Sequence, residues 1–166
     1  MALTNIKKVK NLQEDNNITI ALLSAGVGSK IKSYEPRALI KIDNKPLIDT
    51  QIKTIREVFR NPDIISVVGC FANRIIKRIK KSVRVVENQL FKTTNSSESL
   101  RLAFNNSMHD RFMFIHGDIL FNQKSLSVDY HESFIIIDSN QMIKDNEIGV
   151  TIVDKKASVL SYGLKT

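Results

Sequence analysis

The sequence predicts an α/β fold: a three-layer sandwich with a mostly parallel central sheet, ending in an antiparallel C-terminal hairpin. Short strand-like runs at 18–24, 63–70, 83–87 and 111–118 alternate with stretches of helical periodicity, the order that feeds parallel strands through helical crossovers. The first two runs are apolar almost without interruption, as strands covered on both faces must be. After residue 118 the helical stretches give way to closely spaced strand candidates, which argues for local antiparallel pairing.

Each element has its own reason. Residues 1–17 are polar and rich in Asn and Lys, and read as an N-terminal arm leading into one domain over 18–166. The first strand, 18–24, breaks into the small-residue run Ser24-Ala25-Gly26-Val27-Gly28-Ser29-Lys30. Pro36 pushes Glu35 towards an extended conformation. Residues 38–43 read as a short extended piece, and Asn44-Lys45 as a turn. Pro46 suits a helix start. Ile48, Ile52, Ile55, Val58 and Phe59 then recur at helical spacing until Asn61-Pro62 stops the helix.

Beyond the strand at 63–70, Ile75, Ile76 and Ile79 give a short basic helix its inner face. The strand at 83–87 alternates too weakly to orient it. Asn95 and Glu98 have the offset of an N-cap and its N3 partner, and Leu100, Ala103, Phe104 and Met108 continue that helix. The strand at 111–118 follows. Residues 134–138, 148–154 and 158–161 read as further strands, with a hairpin turn over 154–157.

Composition narrows the class. A length of 166 residues, with 42% hydrophobic and 25% charged content, fits one globular domain with a substantial core. No apolar run approaches the roughly 20 residues that span a bilayer, which argues against a membrane protein. Residues 1–17 lack the apolar core of a secretory signal. Cys70 is the single cysteine, so neither a disulfide framework nor a cysteine metal cluster is available, and a cytoplasmic setting is expected. The net charge of +8 points to anionic partners. Its densest cluster, 77–81, alternates with apolar residues and carries no aromatics for stacking bases, which argues against nucleic acid and for a solvated helix face.

The run Ser24 to Lys30 is the candidate for chemistry. A buried strand that opens into small residues can turn backbone N–H groups towards a polyphosphate, and Lys30 and Arg37 supply neutralising charge. A P-loop requires Ser or Thr after the lysine, but Ile31 stands there. A dinucleotide fingerprint requires a third glycine near 31 and an acidic residue at the end of the second strand, and both are missing.

A third pattern fits. Leu22-Leu-Ser-Ala-Gly-Val-Gly-Ser-Lys30, Pro36-Arg-Ala-Leu39 and Ile42-Asp-Asn-Lys-Pro-Leu-Ile48 together resemble the opening of nucleotidyltransferases of the nucleotide-sugar pyrophosphorylase and phosphocholine cytidylyltransferase type. Glu87-Asn88, Thr94-Asn95 and Ser99-Leu100 are similar to a segment of the phosphocholine branch, and Gly117-Asp118 resembles the strand-end aspartate motif. The matches keep their order over roughly residues 18–160. The resemblance implies a nucleotide-diphospho-sugar transferase-like fold and the transfer of NMP from an NTP, CTP or UTP by preference, to a small phosphorylated acceptor. It implies that Ser24, Ala25, Gly26, Val27, Gly28, Ser29 and Lys30 hold the nucleotide. Lys30, Arg37 and Asp118 would serve the chemistry, with Asp118 binding Mg²⁺. Asn88, Thr94, Asn95 and Ser99 would border the acceptor.

Two departures qualify the resemblance. The family's loop arginine is Lys30 and its Pro-Lys lysine is Arg37; charge is kept, but a compact ammonium and a planar guanidinium present donors differently. Family domains also continue past the hairpin and bring a second metal-binding carboxylate, so this chain is expected to be shortened at its C-terminus. Asp138 and Asp154 are the remaining carboxylate candidates, and the sequence selects neither. The rival readings are a truncated or diverged nucleotide-binding module without efficient turnover, and a basic nucleic-acid-binding protein. Oligomeric state is open.

Overall fold

The computed structural model describes residues 17–26, 36–128, 132–138, 147–154 and 156–164. They belong to two compact units, Met1–Asp129 and Tyr130–Thr166.

In the first unit, β1 (Ile18–Ser24) is buried along its whole length. It lies between β4 (Asp63–Val68) and β6 (Arg111–His116), parallel to both, and β5 (Arg84–Glu87) pairs in parallel with the far side of β4. The strand order is therefore β5-β4-β1-β6, the parallel sheet that the alternation of strands and helices predicts. Right-handed crossovers from β1 to β4 to β5 place their helices on one face, and the step back to β6 places its helix on the other. Those crossover helices are α1 (Leu47–Val58), α2 (Ala72–Ile79) and α3 (Ser96–Asn105).

The core follows this arrangement. Ala21, Leu23 and Ala25 of the first strand and loop pack with Ile65 and Val67 of β4 and Ala103 of α3, flanked by Leu100 and Phe112. Ile20, Leu22, Ile64 and Val68 alternate to the opposite face and are equally buried, as are Ile48, Ile52 and Ile55 of α1 and Ile75 and Ile79 of α2. At the margin, Phe104 and Phe112 meet edge to face, 5.4 Å between centroids.

Local chemistry corrects several sequence-based boundaries. Residues 38–43 are not one extended piece. Arg37–Leu39 forms a 3₁₀ turn, and only β2 (Lys41–Ile42) and β3 (Lys45–Pro46) pair, around Asp43 and Asn44, both at positive φ. Met108 lies outside α3, which ends at Asn105 with Asn106 as its C-cap. Asn95 does cap α3, accepting from the Ser97 amide at 2.9 Å, but Glu98 pairs with Arg101 rather than reaching back to complete a capping box. A short helix, α4 (Gln123–Leu126), follows the site region and was not expected; Asn122 caps it.

The sheet is pinned at its base by one carboxylate. Asp63, at the start of β4, accepts from Thr19 of β1 (2.8 Å) and from both ends of the Arg84 guanidinium of β5 (2.8 and 2.6 Å). Thr19 in turn accepts from the Met108 amide, and Arg84 also donates to the Asn106 carbonyl. Burial would raise the Asp63 pKa, but the bonds from Arg84 and Thr19 and the Arg84 charge outweigh it and hold the carboxyl below its ordinary value. Its stabilisation is therefore fully present above the unfolded-state pKa, about 4, and is lost as pH falls through the lowered folded value. Asp63→Ala should cost about 2–3 kcal/mol in denaturant unfolding at pH 7. The gap between variant and wild type should narrow as pH falls below about 4.

In the second unit, β7 (Ile148–Val153) and β8 (Lys156–Tyr162) form the expected antiparallel hairpin, with Asp154 at φ 49° in the turn. The register shifts between Thr151 and Ile152, a β-bulge. Residues 134–138 form no strand: their apolar side chains are exposed and the stretch finds no partner strand among the described residues.

Candidate functional site

Because β5, β4, β1 and β6 are parallel, their C-terminal ends share one edge of the sheet, and the loops there carry most of the sequence-selected polar residues. The chain first moves outward from β1 to β4 and β5, then returns to β6 on the other side of β1. The crevice between the ends of β1 and β6 is thus the switch point at which ligands bind in open α/β sheets. Ser24 lies on one side of it and Gly117-Asp118 on the other.

The two sides touch through Gly117. Its amide donates to the Leu23 carbonyl at 2.9 Å. A Cβ at this position would lie 2.6 Å from Ser24 Oγ and 2.7 Å from that carbonyl oxygen, so only glycine permits the approach. Ser24 Oγ is buried without a hydrogen-bond partner among the described residues. Such an orphan hydroxyl favours a polar ligand at this point.

Asp118 is ion-paired with Arg37, which the 3₁₀ turn after Pro36 brings across 81 residues of sequence. The Asp118 side chain is 40% exposed, and Arg37 Nε is buried without a partner among the described residues. A cation and a carboxylate therefore sit together at the switch point, partly open to solvent. Gln51 holds the Asp118 turn from behind. Its Nε2 donates to the carbonyls of His116 (3.2 Å) and Ile119 (2.7 Å), straddling the aspartate. Gln51 was not anticipated from sequence, although a signal exists: it is a polar residue on the apolar stripe of α1, and it is almost wholly buried.

The second cluster follows β5. Asn88, 2% exposed, donates through Nδ2 towards Thr94 Oγ1 (3.3 Å) and Ser99 Oγ (3.2 Å) and accepts from the Leu90 amide (3.0 Å). Thr94 Oγ1 donates to the Leu90 carbonyl at 2.7 Å. Asn88, Thr94 and Ser99 thus converge, and their hydrogen bonds shape the loop 88–95 from within. Asn95 stands beside them as the α3 cap. Three strand spacings, about 14 Å, separate the ends of β5 and β6.

Of the residues proposed for the nucleotide, Ser24, Ala25 and Gly26 are placed at the end of β1; Val27, Gly28, Ser29 and Lys30 lie outside the described residues. Ala25 is tied to the loop after β4 by the Cys70 amide (3.1 Å). A Cβ on Gly69 would lie 2.7 Å from Phe91 Cβ and 2.9 Å from the Ala25 carbonyl, so these loops pack backbone to backbone. Among the described residues no group of three His, Cys, Asp or Glu converges, and no helix is long and apolar enough to cross a membrane. Asp118 offers a hard carboxylate oxygen at a partly open strand end. This fits Mg²⁺, which takes one or two protein carboxylates and completes its shell with water and phosphate oxygens.

A parallel α/β sheet with an Arg–Asp pair at its switch point has charged groups where open α/β folds bind their ligands. Residues 20–134 match the MobA-like NTP transferase domain, and the chain belongs to that family. It is 26% identical over 159 residues to the choline-phosphate cytidylyltransferase of Streptococcus pneumoniae, covering 86% of this chain and 67% of that protein. It is 30% identical over 86 residues to the bifunctional protein GlmU of Gluconobacter oxydans, covering 52% of this chain and 19% of the relative. Among solved structures, the CTP:phosphocholine cytidylyltransferase of S. pneumoniae superposes with a TM-score of 0.65 at 22% identity, covering 88% of this chain and 64% of that one. The inositol-1-phosphate CTP transferase of T. maritima gives 0.66 at 15% identity, covering 89% and 65%. The fold is that of these nucleotidyltransferases, and the chain spans only part of the length of the relatives it matches.

Proposed function

We propose that this chain transfers a nucleoside monophosphate from an NTP, CTP or UTP by preference, to a small phosphorylated acceptor, releasing pyrophosphate. The observation that carries the reading is the Arg37–Asp118 pair at the switch point beside Ser24. A phosphate oxygen of the acceptor attacks the α-phosphorus, and the bond from that phosphorus to the β-phosphate's bridging oxygen breaks. The attacking oxygen is already ionised, so no general base is required, and orientation and charge neutralisation supply the rate.

Ser24–Gly26 and the rest of the loop to Lys30 would hold the nucleotide, with Lys30 and Arg37 on the phosphates. Asp118, in the turn that Gln51 holds, would bind Mg²⁺, which supplies charge neutralisation on phosphate oxygens when bound. The loop shaped by Asn88, Thr94 and Ser99, with Asn95 at the head of α3, would border the acceptor. The cytidylyltransferase relatives support CTP and a phosphorylated alcohol as first choices.

One observation favours a second reading, a nucleotide-binding module without efficient turnover: the candidate metal carboxylate is already paired with a protein cation. Pyrophosphate release, measured with each common NTP against phosphocholine, inositol 1-phosphate and a set of sugar phosphates, separates the two. Release with one NTP–acceptor pair is the expected result. Nucleotide binding without release for any pair supports the module, and absence of nucleotide binding removes both readings.

A further inference from the structure

Phe71 has a backbone that its side chain does not suit. It precedes α2 at φ 57° and ψ 31°, the left-handed region in which a bulky residue is an outlier and Gly or Asn is at ease. The position is also the N-cap of α2, and the phenylalanine cannot cap it. The contrast lies within the same unit: α3 and α4 are capped by Asn95 and Asn122, whose side chains accept from the helix amides. At residue 71 the chain forgoes both the relaxed backbone and the cap, and what it presents instead is an aromatic ring that is 44% exposed. A backbone outlier at a residue that leaves its ring 44% exposed points to a function for that ring.

The ring's setting identifies what it would meet. The Cys70 amide, one residue earlier, donates to the Ala25 carbonyl, so Phe71 stands close to Ala25 at the end of β1, part of the run proposed for the nucleotide. The Arg74 guanidinium lies over the ring, 5.8 Å from its centroid. That cation makes the platform unfavourable for a positively charged group such as a quaternary ammonium, and leaves it suited to a neutral aromatic plane. We propose that Phe71, oriented by Arg74, is the stacking platform for the base of the nucleotide. The inference rests on the reading of the chain as a nucleotidyltransferase, and makes Phe71 a residue of nucleotide affinity rather than of the chemical step.

The test is calorimetric binding to the full chain of the four common NTPs and of inorganic tripolyphosphate, which has no base. Phe71→Gly and Phe71→Asn relieve the backbone and remove the ring, whereas Phe71→Tyr keeps it. The Gly and Asn variants should bind the preferred NTP about tenfold more weakly. They should bind tripolyphosphate as wild type does and melt at or above the wild-type temperature. The Tyr variant should match wild type for both ligands. Unchanged NTP affinity in the Gly and Asn variants, or an equal loss for tripolyphosphate, overturns the platform and leaves the functional reading standing. A wild-type chain that binds no NTP overturns the functional reading and the platform with it.

Discussion

Asp118→Asn should lower pyrophosphate release about a thousandfold, the upper end of what removing one preorganised electrostatic group costs an enzyme. Asparagine keeps the size and shape of the side chain and removes its charge, so the variant loses both its affinity for a divalent ion and its pairing with Arg37. The fold should be indifferent. The pair is partly exposed, so its loss changes stability by no more than about 1 kcal/mol. The backbone of the turn is held independently by Gln51 and by the Gly117–Leu23 hydrogen bond. A second readout separates a metal role from a purely electrostatic one: NTP affinity should rise with added Mg²⁺ in the wild type and become insensitive to it in the variant. Near-wild-type release would remove Asp118 from the site.

Gly117→Ala should damage stability and activity together. The added methyl would meet Ser24 Oγ at 2.6 Å and the Leu23 carbonyl at 2.7 Å; the hydroxyl can rotate aside, but the backbone carbonyl cannot yield without parting β1 from β6. Overpacking of this kind costs about 2–3 kcal/mol, read as a lower denaturation midpoint at unchanged slope. Activity in the folded fraction should fall as well, since the wedge sits between Ser24 and Asp118. A variant that kept wild-type stability would show that the two loops are free to separate, contrary to the packing seen here.

Much of the candidate site could be proposed from the sequence because its residues lie at strand ends. A strand that stops at Ser24 or His116 places the next residues at the sheet edge, and the order of motifs along the chain then follows the order of loops. Asn95 could be read as a cap from local chemistry alone. Gln51 was obscured because its role depends on carbonyls 65 and 68 residues away, and in sequence it is a polar break in an apolar stripe. Nothing in the sequence singles out Phe71, because its oddity is a backbone angle, to which composition gives no clue. Residues 134–138 show the opposite case: their apolar content suggests a strand, but a strand also needs a partner strand, and they pair with none among the described residues.

By itself, then, the sequence determined the parallel α/β sheet, the terminal hairpin and the family, because hydrophobic periodicity and motif order are properties of neighbouring residues. Only the tertiary structure decided that Arg37 meets Asp118, that Asn88 meets Thr94 and Ser99, and that Gly117 must lack a Cβ. Each of these depends on how closely two strands or loops approach, and that distance is set by packing across the whole sheet.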